Sequence, residues 1–193
     1  TSQTANYSIS SIEFDKSGTT FILSDTKISI PLFGSAHAYS ALAAISVARQ
    51  LGLNLKEIQE ALTSLPLIER TMEVKNGKQD AILLDDSYNV NTDGVLASIN
   101  DVNASNYSEK VFVFKELLEL GDETDEELKR IIRSAAKVFN HFVLMQSAQR
   151  PKIRTLLLEE GIEPEQILHP KDQERFTSLL NEETIILFEG RGT

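Results

Sequence analysis

Four stretches of this sequence hold residue types that could do chemistry. Asp85-Asp86-Ser87-Tyr88-Asn89-Val90-Asn91 gathers two carboxylates, a phenol and two carboxamides into one run. Lys115–Gly121 mixes charged and apolar residues, Glu189-Gly190-Arg191-Gly192 sets an arginine between two glycines, and Arg70 stands between Glu69 and Thr71. Carboxylates and carboxamides accept protons from hydroxyl and amide donors, and a guanidinium contacts an anion through several N–H groups. Plainer readings stand beside these. Asp and Asn after a strand are common turn and N-cap residues, a terminal Gly-rich tail is often only flexible, and Arg70 reads equally well as a surface arginine.

Other chemistries are excluded. The chain has no cysteine, so disulfides, thiolate catalysis and zinc–cysteine sites are absent. His37, His141 and His169 are scattered without paired-ligand spacing. Glu116, Glu119, Asp122, Glu123, Asp125, Glu126 and Glu127 form the densest acidic stretch. It reads as a solvated loop and a first helical turn, where carboxylates complement the macrodipole, with a metal site as the alternative. The formal charge is 19 − 29 = −10, and residues 67–193 carry most of it, with 15 basic and 24 acidic groups. Such a domain repels a polyphosphate backbone, so nucleic acid is not an expected partner, although local basic residues suffice for one phosphate. No apolar run approaches the ~18 residues of a membrane span, and no signal peptide opens the sequence. No membrane insertion and a cytoplasmic location are expected.

The candidate residues need elements to position them. Residues 7–14 and 19–23 read as a hairpin across the Asp15–Gly18 turn, and 27–32 as a third strand. An alanine-rich helix is expected over 36–51, then a second one capped by Asn54 with Glu57 as its reciprocal partner. Thr63–Pro66 reads as a linker. Beyond it, Arg70–Lys75 and Ala81–Leu84 flank Asn76-Gly77, a hairpin signal. Helices are expected at 93–101, 124–139, 152–160 and 173–180, with strands at 111–114, 142–145, 166–168 and 184–188. Thr124 and Glu127 read as a capping box, with Leu128, Ile131, Ile132 and Ala135 facing inward. The fold class is α/β: a mostly parallel Rossmann-like sheet with flanking helices, preceded by a small α+β part. In such sheets ligands sit beyond the carboxyl ends of the strands, which is where three of the four stretches fall.

Several segments together resemble a family. Gly34-Ser-Ala-His-Ala-Tyr-Ser-Ala-Leu-Ala-Ala44 looks like a helix opening of Mur ligases, Pro66-Leu-Ile-Glu-Arg-Thr-Met-Glu73 resembles their Gly-Arg-Met-Glu linker crossing, and Val113–Asp122 is similar to a further family stretch. Leu84-Asp-Asp-Ser-Tyr-Asn-Val-Asn91 resembles the Asp-Asp-Ser-Tyr-Asn-Ala-Asn-Pro signature of the D-alanyl-D-alanine-adding members. The resemblance implies a fragment: residues 1–66 as the end of the central ATPase domain, residues 67–193 as the C-terminal α/β domain. It implies an enzyme of peptidoglycan precursor synthesis that uses ATP and Mg2+ to form an acyl phosphate, then joins D-alanyl-D-alanine to a UDP-linked muramoyl peptide. It also implies a monomer. Arg70 and Asp86 would contact the nucleotide, and Tyr88, Asn89, Asn91 and Arg191 the incoming substrate. No catalytic residue and no metal ligand of the fragment is implied, and the metal positions of the family lie upstream. No Gly-x-x-x-x-Gly-Lys-[Ser/Thr] loop occurs here, so the fragment alone is expected to be inactive. The family's Lys-Gly-Ser-Arg becomes Glu189-Gly190-Arg191-Gly192, its His-Asn-x-x-Asn becomes Ala36-His37-x-x-Ser40, and its Gly-Asp-Met becomes Lys115-Glu116-Leu117. Two rivals remain: a sister ligase similar to folylpolyglutamate synthase, and a non-catalytic ligase-like binding module.

Overall fold

The computed structural model describes residues 7–88, 90–117 and 124–190. Its contacts divide the chain into two units, one of residues up to Ile68 with Ala104–Asn106, the other of the remaining residues from Glu69 on. Asn89, Arg191 and the Glu119, Asp122 and Glu123 part of the acidic stretch lie outside the described residues.

In the first unit, β1 (Ile9–Asp15), β2 (Gly18–Leu23) and β3 (Thr26–Ile30) form an antiparallel meander. Gly18 is required at the first turn: its φ is 127° and a Cβ there would lie 2.2 Å from the Ile30 carbonyl oxygen. Helices α1 (Ser35–Gln50) and α2 (Leu55–Thr63) follow. Their Ala38, Ala41, Ile45, Ile58 and Leu62 meet Phe21, Leu23, Ile28 and Ile30 in one buried cluster. The expected capping box is formed, with Glu57 N–H donating to Asn54 Oδ1 (3.0 Å) and Asn54 N–H to Glu57 Oε2 (2.8 Å).

The second unit alternates strand and helix: β4 (Glu73–Asn76), β5 (Ile82–Asp86), α3 (Thr92–Ala104), β6 (Glu109–Phe114), α4 (Thr124–Ala135), β7 (His141–Leu144), α5 (Arg150–Glu159), β8 (Ile167–Leu168), α6 (Gln173–Ser178) and β9 (Thr184–Glu189). The sheet order is β4-β5-β9-β6-β7-β8, antiparallel only between β4 and β5. The last strand therefore slots between the first two parallel ones, covered by neighbours on both edges. That explains its nearly continuous apolar run Ile185-Ile-Leu-Phe188. One sheet face buries Leu84, Phe112, Phe142 and Leu187, with Phe112 stacked on Phe139 at 4.9 Å between ring centroids. On the other, Val111, Val113, Val143 and Ile186 meet Leu180, and Phe176 of α6 packs against them.

Two local expectations change. Residues 70–72 are not strand, because Arg70 and Met72 adopt positive φ (58° and 46°). The β4–β5 hairpin closes through Gly77–Ala81, with Gly77 N–H donating to Ala81 O at 2.8 Å, and not through a two-residue Asn76-Gly77 turn. Glu127 accepts from Arg130 Nη1 at 2.7 and 2.9 Å. The four inward positions of α4 are buried as expected.

Candidate functional site

The carboxyl ends of the three central strands meet in register. Asp86 on β5 pairs with Glu189 on β9, and Glu189 pairs with Phe114 on β6. Residues that follow these strands lie at one end of the sheet, because parallel strands all point their carboxyl ends the same way.

Alternation along β5 sends its two acidic residues to opposite faces. Asp85 turns toward β4, where Lys75 Nζ donates to Oδ2 at 2.5 Å and lies 3.1 Å from Glu73 Oε2. Ser87 Oγ donates to Asp85 Oδ1 at 2.5 Å and accepts from Arg70 Nε at 3.0 Å. Arg70 Nη2 donates to the Ser87 carbonyl at 2.7 Å, Arg70 N–H donates to Glu73 Oε2 at 2.9 Å, and Tyr88 N–H donates to the Arg70 carbonyl at 3.0 Å. Arg70 is thus docked along the start of the Asp-Asp-Ser-Tyr segment. Its left-handed backbone is held from both ends by these bonds.

Asp86 turns to the other face. Met72 N–H donates to Oδ1 at 3.1 Å and Ser98 Oγ of α3 donates to Oδ2 at 2.8 Å. Tyr88 is 67% exposed, an unusual placement for an aromatic residue anchored by its backbone in a tight segment. Asn91 Oδ1 accepts from Gly94 N–H at 2.9 Å and so caps the start of α3. After β6, Ser147 Oγ donates to the Lys115 carbonyl at 2.9 Å. Gln149 brackets buried Leu117, accepting from its N–H at 3.0 Å and donating to its carbonyl at 2.9 Å. Lys115-Glu116-Leu117 is therefore a fixed segment beside β9. Gly190 (φ 131°) passes so close that a Cβ there would lie 2.5 Å from Lys115 Cβ.

The structure brings Arg70, Asp86, Tyr88 and Asn91 into one stretch between the end of β5 and the start of α3, with Arg70 docked against it. It adds Ser87, Ser98 and Glu189, which the sequence did not single out as site residues. Period-two alternation from Ile185 through Leu187 to Glu189 was the available signal for the last of these. An apolar concavity lined by Val113, Val143, Met145, Phe176, Ile186 and Phe188 opens on the other sheet face. Lys78, His169, Gln173 and Thr177 stand among its other lining residues. Among the described residues no group of His, Asp and Glu side chains converges as a metal cradle, and no helix is long and apolar enough to cross a membrane.

Burial acts to raise the Asp85 carboxyl, but Lys75 and Ser87 together outweigh it and hold the group below its ordinary value of 3.8. The folded chain then binds this proton less tightly than the unfolded chain. Its stabilisation is complete above about pH 5 and is lost as pH falls through the lowered folded-state value. The melting-temperature gap between the chain and Asp85→Asn should therefore narrow on acidification from pH 6 to about pH 2. A gap independent of pH would assign the contribution to packing and not to charge.

No protein-family model matches the chain. Among curated proteins it is 32% identical over 95 residues to the UDP-N-acetylmuramoyl-tripeptide–D-alanyl-D-alanine ligase of Buchnera aphidicola subsp. Baizongia pistaciae, covering 49% of this chain and 20% of the relative. The ligase of the same name from Borreliella burgdorferi is 34% identical over 131 residues, covering 64% of this chain and 28% of the relative. The chain thus spans about a quarter of the length of these relatives. Among solved structures, MurF ligase from Thermotoga maritima in complex with ADP superposes with a TM-score of 0.76 at 16% identity, covering 96% of this chain and 43% of that one. That likeness establishes a shared fold.

Proposed function

We propose that this chain, a MurF-like member of the Mur ligase family, is the C-terminal part of an ATP-dependent amide ligase that adds D-alanyl-D-alanine to a UDP-N-acetylmuramoyl-tripeptide. Residues 1–66 are read as the end of the central ATPase domain and residues 67–193 as the C-terminal domain. The observation that carries the proposal is the Asp-Asp-Ser-Tyr segment, set at the carboxyl end of a central parallel strand with its second carboxylate held by a backbone and a hydroxyl donor.

The residues divide the work by position. Asp86 is held with both oxygens oriented, as a carboxylate that is to accept ribose hydroxyls must be. Arg70 braces the segment through Ser87, and its guanidinium is assigned to the nucleotide phosphates. Tyr88 presents an exposed ring, and with Asn89, Asn91 and Arg191 it is assigned to the incoming amine and its carboxylate. The reaction requires an activated acyl group and an amine held in line in a cleft that excludes water, so positioning and fixed dipoles supply most of the rate. Bound ATP supplies the phosphoryl group that activates the acyl carboxylate. Mg2+ belongs to positions upstream of these residues, and no step is routed through it here. The partners are the UDP-linked peptide and the dipeptide, the protein a cytoplasmic monomer.

The test is phosphate release by the full-length protein, expected only when ATP, the UDP-linked tripeptide and D-alanyl-D-alanine are all present. Release with other acceptors but not with this dipeptide would overturn the assignment. The 193-residue chain by itself should show no ATP turnover above background, since it has no phosphate loop. Turnover in a preparation free of contaminating ATPases would show that the nucleotide site has been misplaced.

A further inference from the structure

Glu189 ends the central strand β9 with only 1% of its surface exposed, on the face where Asp86 is its register partner. Adjacent strands stand about 4.8 Å apart, so two carboxyl groups at paired positions share one small space. Two carboxylates that close and that shielded do not both ionise.

The surroundings decide which of them holds the proton. Asp86 receives donors on both oxygens, from Met72 N–H and the Ser98 hydroxyl. Glu189 Oε1 is buried with no hydrogen-bond partner among the described residues. Donors favour the ionised form, and an oxygen left without one in a dry site favours the acid. Burial first and the Asp86 charge second push the Glu189 carboxyl well above the ordinary carboxylate range, with Ser98 opposing. From α3 the group meets the neutral Ser98. From the β6 side it meets Phe114 and the backbone of Lys115, whose N–H donates to the Glu189 carbonyl at 3.1 Å. Among the described residues the charge acting on Glu189 is that of Asp86.

We propose that Glu189 is a positioning residue for Asp86: as a neutral acid it donates a hydrogen bond to the Asp86 carboxylate, so that the pair presents one fixed negative charge at the ends of β5 and β9. The substitution of the family's lysine then keeps a donor at this position. It changes the local charge by one and not by two, because the acid is buried neutral. The value of this for nucleotide binding rests on the reading of Asp86 above. The proton placement does not, so either can fail alone.

The experiment is a carboxyl-carbon NMR titration of the 193-residue chain, its Glu189→Gln variant and its Glu189→Met variant. Glu189 should remain protonated at pH 7 while Asp86 is ionised. Gln, which still donates, should leave the Asp86 midpoint in place, whereas Met, of similar size but without a donor, should raise it by about one pH unit. Ionisation of Glu189 together with the surface glutamates would overturn the proposal, as would equal shifts of Asp86 in both variants. Should the Met variant fail to fold, the unsubstituted chain and the Gln variant decide the matter: a protonated Glu189 with an unmoved Asp86 supports the pair, and any other result overturns it.

Discussion

On the nucleotide role proposed for Asp86, Asp86→Ala in the full-length protein should lower kcat/KM for ATP by roughly ten- to a hundredfold, the loss of a charge-assisted hydrogen bond worth about 1.5–3 kcal/mol in a closed cleft. Asp86 is the right residue to ask. It ends a central strand, both its oxygens are oriented, and its neighbour across the strand pair is an acid that leaves it as the charged member. Removing it also strands the Met72 N–H and the Ser98 hydroxyl, so some stability is lost with the activity. Asn54→Ala serves as the control, because its side chain only caps α2. It should lower stability by about 1 kcal/mol and leave kcat/KM per folded molecule unchanged. Kinetics and melting temperature measured on both variants separate the roles. If Asp86→Ala moves only the melting temperature, the segment is a turn that caps and braces, and the nucleotide assignment fails.

Much of the architecture was legible because it is written in local periodicity. The stripe Leu128, Ile131, Ile132, Ala135 can only be one helix face, and it is buried as read. Asn54 and Glu57 meet because a capping box involves four consecutive residues. What escaped depends on partners far along the chain. Residues 70–72 looked like the start of a strand, yet Glu73 captures the Arg70 N–H and Asp86 captures the Met72 N–H, fourteen residues on, and both backbones turn left-handed. Ser98 carried no signal, since an isolated serine fits any surface, and Ser87 was legible only as a member of the Asp-Asp-Ser-Tyr-Asn segment. Glu189 stood out in sequence only as a replacement of the family's lysine, because nothing local says that the last strand is the central one. Once β9 lies between β5 and β6, the same alternation that buries Ile185 and Leu187 buries Glu189 too.

Phe112→Ala should destabilise the second unit by about 3–5 kcal/mol, the usual loss when a buried aromatic ring is removed and its cavity only partly refills. Phe112 is fully buried on β6, with ring centroids 5.3 Å from Phe114, 4.9 Å from Phe139 and 6.4 Å from Phe142. Three rings therefore lose a partner at once, and a strand flanked on both sides cannot shift to close the gap. Against a total stability of roughly 5–15 kcal/mol this is a large fraction, and the melting temperature of the unit should fall by about 10–20 °C. Phe112→Leu refills much of the volume and should cost well under half as much. The cluster also reaches the site, because β6 ends where Lys115 N–H holds the Glu189 carbonyl. In Phe112→Ala, measured well below its melting point, a loosened strand end admits water to Glu189, and its carboxyl should titrate closer to the ordinary range. A loss below about 1 kcal/mol would mean that the core collapses around the hole. An unmoved Glu189 titration alongside full destabilisation would mean that the strand ends are fixed by their own hydrogen bonds and not by the aromatic cluster behind them.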